Sequence, residues 1–186
     1  MLFTRKGDDG TTKTFGCNQR VSKSSAITEA LGAVDEINSL LGVVKMRGAD
    51  AKAVDGKNYH DLIADVQQDL FVVQAELAGA DKHMDLGRVK KIEALVNAIE
   101  KELPPITTFF VSGGTELGAL CDYARTVARR SERRVVESVG EKKEGLPAQA
   151  GKEGVLAYMN RLSSLLYALA RLANHRAGAK EEKPHY

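Results

Sequence analysis

The sequence predicts an all-α protein, a five-helix antiparallel bundle carrying an irregular arm at its N-terminus. Three observations predict it. Apolar residues between Ile27 and Ala173 recur every three or four positions in five separate stripes, the spacing that gathers them on one face of a helix. No segment sustains the two-residue alternation of a half-buried strand. Residues 4–23 carry few apolar side chains and many Gly, Thr, Asp, Lys and Arg, poor material for a core.

The first stripe runs Ile27, Leu31, Val34, Ile37/Asn38, Leu41 and Val44, with Ser24 or Ser25 in place to cap its start. Gly48-Ala49-Asp50 and Asp55-Gly56 mark the loop that follows. The second stripe is Tyr59, Leu62/Ile63, Val66, Leu70, Val73 and Leu77, closing near Gly79. A more charged third helix uses Leu86, Val89, Ile92, Leu95/Val96, Ile99 and Leu103, and Pro104-Pro105 stops it. Thr107 to Thr115 breaks the helical pattern, and Ser112 or Thr115 caps a fourth helix over roughly Glu116 to Val139. Its stripe is Leu117, Leu120/Cys121, Ala124, Val127/Ala128 and Val135. Residues 140–154 form a Lys-, Glu- and Gly-rich linker. The fifth and most apolar helix follows Val155, Tyr158/Met159, Leu162, Leu165/Leu166, Leu169 and Leu172/Ala173. Helices joined by short loops pack as neighbours in a bundle. One domain over residues 1–176 is expected, with residues 1–23 as the arm and 177–186 as a disordered tail.

Composition narrows the function. At 186 residues the chain is large enough to bury a core. A formal net charge of +2 offers no broad field for nucleic acid or a membrane surface. Aromatics make up 5% with no Trp, against a base-stacking platform. Two cysteines, Cys17 and Cys121, give neither a disulfide framework nor a zinc spacing, and no apolar run is long enough to span a bilayer. A reducing compartment, the cytoplasm, is the expected location. The four histidines (His60, His83, His175, His185) are scattered and receive no role.

Chemistry concentrates in two places. In the arm, Thr4-Arg5-Lys6-Gly7-Asp8-Asp9-Gly10-Thr11-Thr12 and Arg20-Val21-Ser22-Lys23 combine glycines, hydroxyls, carboxylates and cations. Glycine lets backbone N–H groups approach an anion, hydroxyls and lysines meet phosphate oxygens, and Asp8 or Asp9 suits Mg²⁺. The segment matches neither the phosphate-loop nor the dinucleotide-binding glycine pattern. A disordered terminus is the alternative. On the fourth helix, Arg125, Arg129 and Glu132 share one face beside the apolar stripe. Arginines so placed serve salt bridges or hold an anion. Asp35 on the first helix is a candidate bundle-crossing partner for one of them, and Asn160 and Arg161 sit among apolar neighbours on the fifth.

Six ordered segments carry a family resemblance: Thr4 to Thr12, Arg20 to Lys23, Gly32-Ala-Val-Asp-Glu-Ile-Asn-Ser39, Phe109-Phe-Val-Ser-Gly-Gly-Thr115, Ala124-Arg-Thr-Val-Ala-Arg-Arg-Ser-Glu-Arg133 and Tyr158-Met-Asn-Arg-Leu-Ser163. Together, over about Thr4 to His175, the chain resembles the PduO-type ATP:cob(I)alamin adenosyltransferases. The resemblance implies a homotrimeric five-helix bundle with active sites between subunits. It implies transfer of the 5′-deoxyadenosyl group of ATP to the cobalt of cob(I)alamin, with release of triphosphate and with Mg²⁺ at the phosphates.

Residue by residue, Thr4, Arg5, Lys6, Gly7, Asp8, Gly10, Thr11, Thr12 and Lys23 resemble the arm that wraps ATP. Arg129, Glu132 and Asn160 resemble the positions that meet ATP from the helices. Arg125 and Asp35 resemble a catalytically important ion pair at the subunit boundary, and Phe109 the aromatic that displaces the lower axial ligand of the corrinoid, so the resemblance implies Arg125, Arg129, Asp35 and Phe109 as the catalytic set. A reductase and an adenosylcobalamin-dependent enzyme are implied as further partners. Lys6, Cys17, Ser112 and Ser164 depart from the family's usual Thr, Gly, Pro and Asp. Two competing readings stand beside this one. The first is a non-catalytic trimeric module that binds ATP or delivers adenosylcobalamin. The second is a structural bundle whose arginines are only salt bridges.

Overall fold

A computed structural model describes residues 3–15, 19–140 and 152–185. Cys17, most of the linker between the fourth and fifth helices, and Tyr186 lie outside the described residues. Five helices dominate: α1 (Ala26–Arg47), α2 (Tyr59–Leu77), α3 (Leu86–Glu100), α4 (Glu116–Gly140) and α5 (Lys152–Arg176). Two two-residue strands, β1 (Thr11–Thr12) and β2 (Val21–Ser22), pair antiparallel in the arm with Thr11 opposite Ser22 and Thr12 opposite Val21. The bundle has α4 between α1 and α5, with α2 packed on α1 and α3 on α5.

The helices fall where the stripes place them, and the buried set explains why. Val34, Ile37, Leu41 and Val44 of α1 are fully buried, as are Leu162, Leu165, Leu166 and Leu169 of α5. The stripe of α4 has a gap between Ala128 and Val135, which Ser131 fills from a fully buried position. Its hydroxyl donates to the Ala33 carbonyl across to α1 (2.6 Å) and approaches the Val127 carbonyl (3.0 Å). A small hydroxyl that satisfies itself on backbone lets α1 and α4 approach closely without an unpaired polar group.

Buried polar groups tie the outer helices to the centre. The Tyr59 hydroxyl donates to the Leu169 carbonyl at 2.7 Å, and that of Tyr158 to Asp69 at 3.1 Å. Burial pushes both phenols well above the usual tyrosine range. Arg88 of α3 closes on the same Asp69 carboxylate, so one acid joins α2, α3 and α5. Of the two candidate caps for α4, Thr115 is the one used: its hydroxyl accepts from the Gly118 amide at 3.0 Å. At α1 the N-cap is Ser25, whose hydroxyl pairs with that of Thr28 at 2.6 Å instead of capping a backbone amide.

The segment after α5 departs from the expectation of a disordered tail. Gly178, at φ +67°, takes the left-handed turn that a side chain resists. The chain then doubles back, with the Ala179 amide on the Asn174 carbonyl at 2.9 Å. The Val111 amide donates to the Glu182 carbonyl at 2.8 Å, and Glu181 forms an ion pair with Arg171. Composition alone favoured disorder, whereas the partners that hold the segment lie 10 and 71 residues away.

Candidate functional site

The arm is organised by its own polar side chains. Gly10, at φ +77°, sits in a turn closed by its amide on the Gly7 carbonyl (3.2 Å). Asp9 accepts from both the amide and the hydroxyl of Thr11, at 2.9 and 2.7 Å. Those hydrogen bonds, with Arg20 beside them, hold the Asp9 carboxyl below the usual carboxylate range. Arg20 contacts the Thr11 hydroxyl at 2.5 Å, the Thr11 carbonyl at 2.9 Å and the Lys6 carbonyl. Lys23 donates its Nζ to the Gly7 carbonyl at 2.8 Å, and its amide to the Gly10 carbonyl at 2.9 Å. Lys23 therefore leans over the Gly7–Gly10 turn, and the β1–β2 ribbon returns the chain to α1.

This division of labour sorts the expected arm residues. Thr11 and Thr12 lie on β1, and Gly7, Gly10 and Lys23 enclose the turn. Thr4, Arg5, Lys6 and Asp8 are exposed around it. Arg5 lies at φ +60° with its guanidinium 5.6 Å from the Phe3 ring. Of the two adjacent acids, Asp9 is committed to the turn, whereas the Asp8 carboxylate has no partner among the described residues. Arg20 is the arm residue that residue-type reasoning left without a role. Its signal was position, since a cation beside β2 faces the acid-rich turn across the ribbon.

The second part of the site is a cleft of about 540 Å³ between the 106–110 loop and the two longest helices. Ile106, Thr108, Phe109 and Phe110 line it from the loop. Asp122, Arg125 and Arg129 line it from α4, and Ser163, Ser164 and Tyr167 from α5. Phe109 is 80% exposed at its edge, an aromatic face that the described residues leave open. Arg125 donates to Asp122 at 2.9 Å and lies 5.8 Å from the Tyr167 ring. Tyr167's hydroxyl is held above its ordinary pKa, chiefly by burial. The Arg129 guanidinium meets no carboxylate among the described residues. One helical turn on, Glu132 accepts from the Asn160 amide at 2.8 Å, and Arg161 donates to the Asn160 oxygen at 2.8 Å. Glu132 and Asn160 are thus brought together across α4 and α5.

One expected pairing is not made within the chain. Asp35 is exposed and does not meet Arg125, which takes Asp122 from its own helix instead. The pair that crosses from α1 to α4 is Glu36 with Arg130 at 2.5 Å. Adjacent residues on a helix point about 100° apart, so a Glu36 aimed at α4 turns Asp35 away from it. No hydrogen bond or ion pair among the described residues joins the arm to Arg129, Glu132 or Asn160. The arm's contacts beyond itself reach the first turn of α1, where Thr28 donates to the Ser22 carbonyl at 2.8 Å.

The described residues hold no group of three or more His, Cys, Asp or Glu suited to a metal ion. Cys121 is buried, and burial pushes its thiol up to about 12, which leaves it unreactive at neutral pH. Among the described residues, no helix is long and apolar enough to cross a membrane.

The sequence and the fold have counterparts in known proteins. The sequence profile of the family described as cobalamin adenosyltransferase matches residues 2–173. The corrinoid adenosyltransferase PduO of Salmonella typhimurium is 34% identical over 177 residues, which cover 91% of this chain and 48% of that protein. The chain spans about half the length of that relative and of its Citrobacter freundii counterpart. A corrinoid adenosyltransferase of Bacillus subtilis is 34% identical over 184 residues, 95% of this chain and 88% of the relative. Among solved structures, a variant PduO-type ATP:co(I)rrinoid adenosyltransferase from Lactobacillus reuteri complexed with ATP superposes with a TM-score of 0.84. It is 25% identical, and the match covers 99% of this chain and all of that one. A second variant of that type, complexed with cobalamin and ATP, gives a TM-score of 0.83 at 26% identity over the whole of both chains. The chain belongs to the cobalamin adenosyltransferase family.

Proposed function

We propose that this protein transfers the 5′-deoxyadenosyl group of ATP to the cobalt of cob(I)alamin, giving adenosylcobalamin and triphosphate. The observation that carries the reading is the cleft, which sets Arg129, a cation without a carboxylate among the described residues, and an open aromatic, Phe109, on the walls of one space. A triphosphate needs the first and a flat macrocycle suits the second. Relatives whose solved complexes hold ATP, or cobalamin and ATP, support the same substrates.

Cobalt(I) attacks C5′ of ATP, the C5′–O bond breaks with its electron pair leaving on triphosphate, and cobalt ends formally as cobalt(III). The attacking atom is itself a strong nucleophile, so no protein base is required. The protein's tasks are alignment of the two reactants and stabilisation of the departing charge. Arg129 and Lys23 supply cations, and the N–H groups and hydroxyls of the Gly7–Thr12 turn supply donors. The Glu132–Asn160 pair gives a fixed polar patch for the nucleoside. The apolar face of Phe109 keeps water and a lower ligand from the cobalt.

Mg²⁺ fits this donor set only as a phosphate-bound ion, since it takes few protein ligands and Asp8 is the carboxylate of the turn that has no partner among the described residues. Bound there, it would offset charge on the leaving triphosphate.

Among the described residues no hydrogen bond or ion pair links the arm to the helix residues, in keeping with a homotrimer whose sites draw the arm from one subunit and α4–α5 from the next. In that assembly Asp35, exposed here, would meet Arg125 of a neighbouring copy. The reading also calls for a cobalt(II) reductant and an adenosylcobalamin-dependent acceptor as partners. It sets the reaction in the cytoplasm, in keeping with a free Cys121.

The test is incubation of purified protein with ATP, Mg²⁺ and chemically reduced cobalamin. Adenosylcobalamin and triphosphate in equal amounts over repeated turnovers are expected. Tight binding of both substrates without product would leave a delivery module, and absence of binding would leave a structural bundle.

A further inference from the structure

We infer that the C-terminal segment clamps the loop that carries Phe109 from behind the cleft, with Glu181 and Arg171 as positioning residues for that loop. The inference rests on the proposed function for its substrate, but its structural half stands without it.

The loop between α3 and α4 has no secondary structure of its own to hold it. At its far end Asn174 of α5 fastens it, accepting from the Thr115 amide at 2.9 Å and donating to the Gly113 carbonyl at 2.9 Å. At its near end Arg171, one helical turn earlier on α5, donates to the Pro104 carbonyl at 3.2 Å. The middle, where the two phenylalanines sit, depends on the tail. Arg171 places its guanidinium 5.2 Å from the Phe110 ring, and the Val111 amide donates to Glu182.

Arg171 is 6% exposed at its side chain, and a buried guanidinium needs a carboxylate. Glu181 supplies one with both oxygens, Nε to Oε1 at 3.0 Å and Nη2 to Oε2 at 3.0 Å, a forked contact. Glu181 thus fixes the cation on which Phe110 rests, and the next residue, Glu182, hydrogen-bonds the backbone just past Phe110. Both phenylalanines line the cleft, Phe110 half-buried over Arg171 and Phe109 the more open of the two at 80% exposure, so a fixed Phe110 sets where its neighbour stands. Ser112 stands in the same loop without the fixed φ of a proline, so the loop is held by its contacts with α5 and, at its middle, with the tail.

The test uses the full chain with Glu181→Gln and Glu181→Asp, read in two ways. Amide hydrogen exchange at Val111 should be slow in the wild type and at least about tenfold faster in Glu181→Gln, with Glu181→Asp between them. In steady-state assays the KM for cob(I)alamin should rise about fivefold or more in Glu181→Gln, with the KM for ATP within about twofold and largely restored in Glu181→Asp. Unchanged exchange at Val111 would overturn the clamp. Faster exchange with an unaltered cob(I)alamin KM, or with both KM values rising together, would overturn its positioning role. A wild-type chain without turnover would instead sink the proposed reaction, and the exchange measurement would still decide the clamp.

Discussion

Arg129 is set apart from the other arginines of α4 by its surroundings. Arg125 has Asp122, Arg130 has Glu36, Arg134 has Glu137, and Arg133 donates to the Arg129 carbonyl at 3.1 Å. Arg129 faces the cleft without a carboxylate among the described residues. A cation kept free beside a cavity contributes little to folding and much to an incoming anion. Arg129→Ala should therefore lower kcat by about 10²–10³, the usual loss of one charge-stabilising donor. Circular dichroism and thermal midpoint should stay close to wild type, because an exposed substitution of this kind moves stability by only about 0.5 kcal/mol. Near-normal turnover in this variant would remove Arg129 from the phosphate site. Phe109→Ala is expected to split two assays. The loss should be larger when cobalt(II) is reduced on the enzyme than when cobalt(I) is supplied, since exclusion of a lower ligand eases the reduction and not the attack. Equal losses in both assays would assign Phe109 to binding alone.

At the scale of elements, α5 is placed by a contact that tolerates no side chain. A Cβ on Gly154 would lie 1.9 Å from the Met84 carbonyl oxygen, so the start of α5 rests directly on the backbone of the α2–α3 loop. Helix propensity favours Ala over Gly, yet Gly154→Ala should destabilise by about 1–3 kcal/mol because backbone must move to admit the methyl. Its thermal midpoint should fall by about 2–4 °C for each kcal/mol. A rise in midpoint would show that α5 can shift at no cost. The five helices were legible because each buries a face with period 3.6, and Thr115 as a cap was legible from its place before an apolar run. The β1–β2 ribbon was not, because two residues cannot display an alternation. Glu181 with Arg171 was hidden for another reason: the acid lies in a stretch of low apolar content, and nothing local marks its partner. At the cleft, Arg125 and Arg129 were found from residue type and spacing, and Phe109 only through the family resemblance. Asp122 and Tyr167 were missed as ordinary occupants of a helix face. The expected Asp35 crossing misjudged which of two adjacent acids points at α4.

The whole molecule raises the question of which chain completes which site. The arm and the α4–α5 residues are well formed separately, yet no hydrogen bond or ion pair among the described residues connects them. A cyclic trimer would join them across each boundary, and its symmetry makes a quantitative prediction. Take one variant with a disabled arm, Thr11→Ala with Lys23→Ala, and another with a disabled helix site, Arg129→Ala. Alone, each gives trimers in which every site is defective. Co-expressed in equal amounts and assembled at random, three quarters of the trimers are mixed. Every mixed trimer then has one boundary where an intact arm meets an intact α4. Activity should recover to roughly a quarter of wild type, given inter-subunit sites in a closed ring of three. If arm and helix residues served the same ATP within one chain, mixing would restore nothing, because no chain carries both intact. Purification through two different tags isolates the mixed trimers, whose turnover per trimer should be about one third of wild type by the same symmetry. Recovery at that level would support the trimer and the shared site together, and its absence in verified mixed trimers would return the arm to its own subunit.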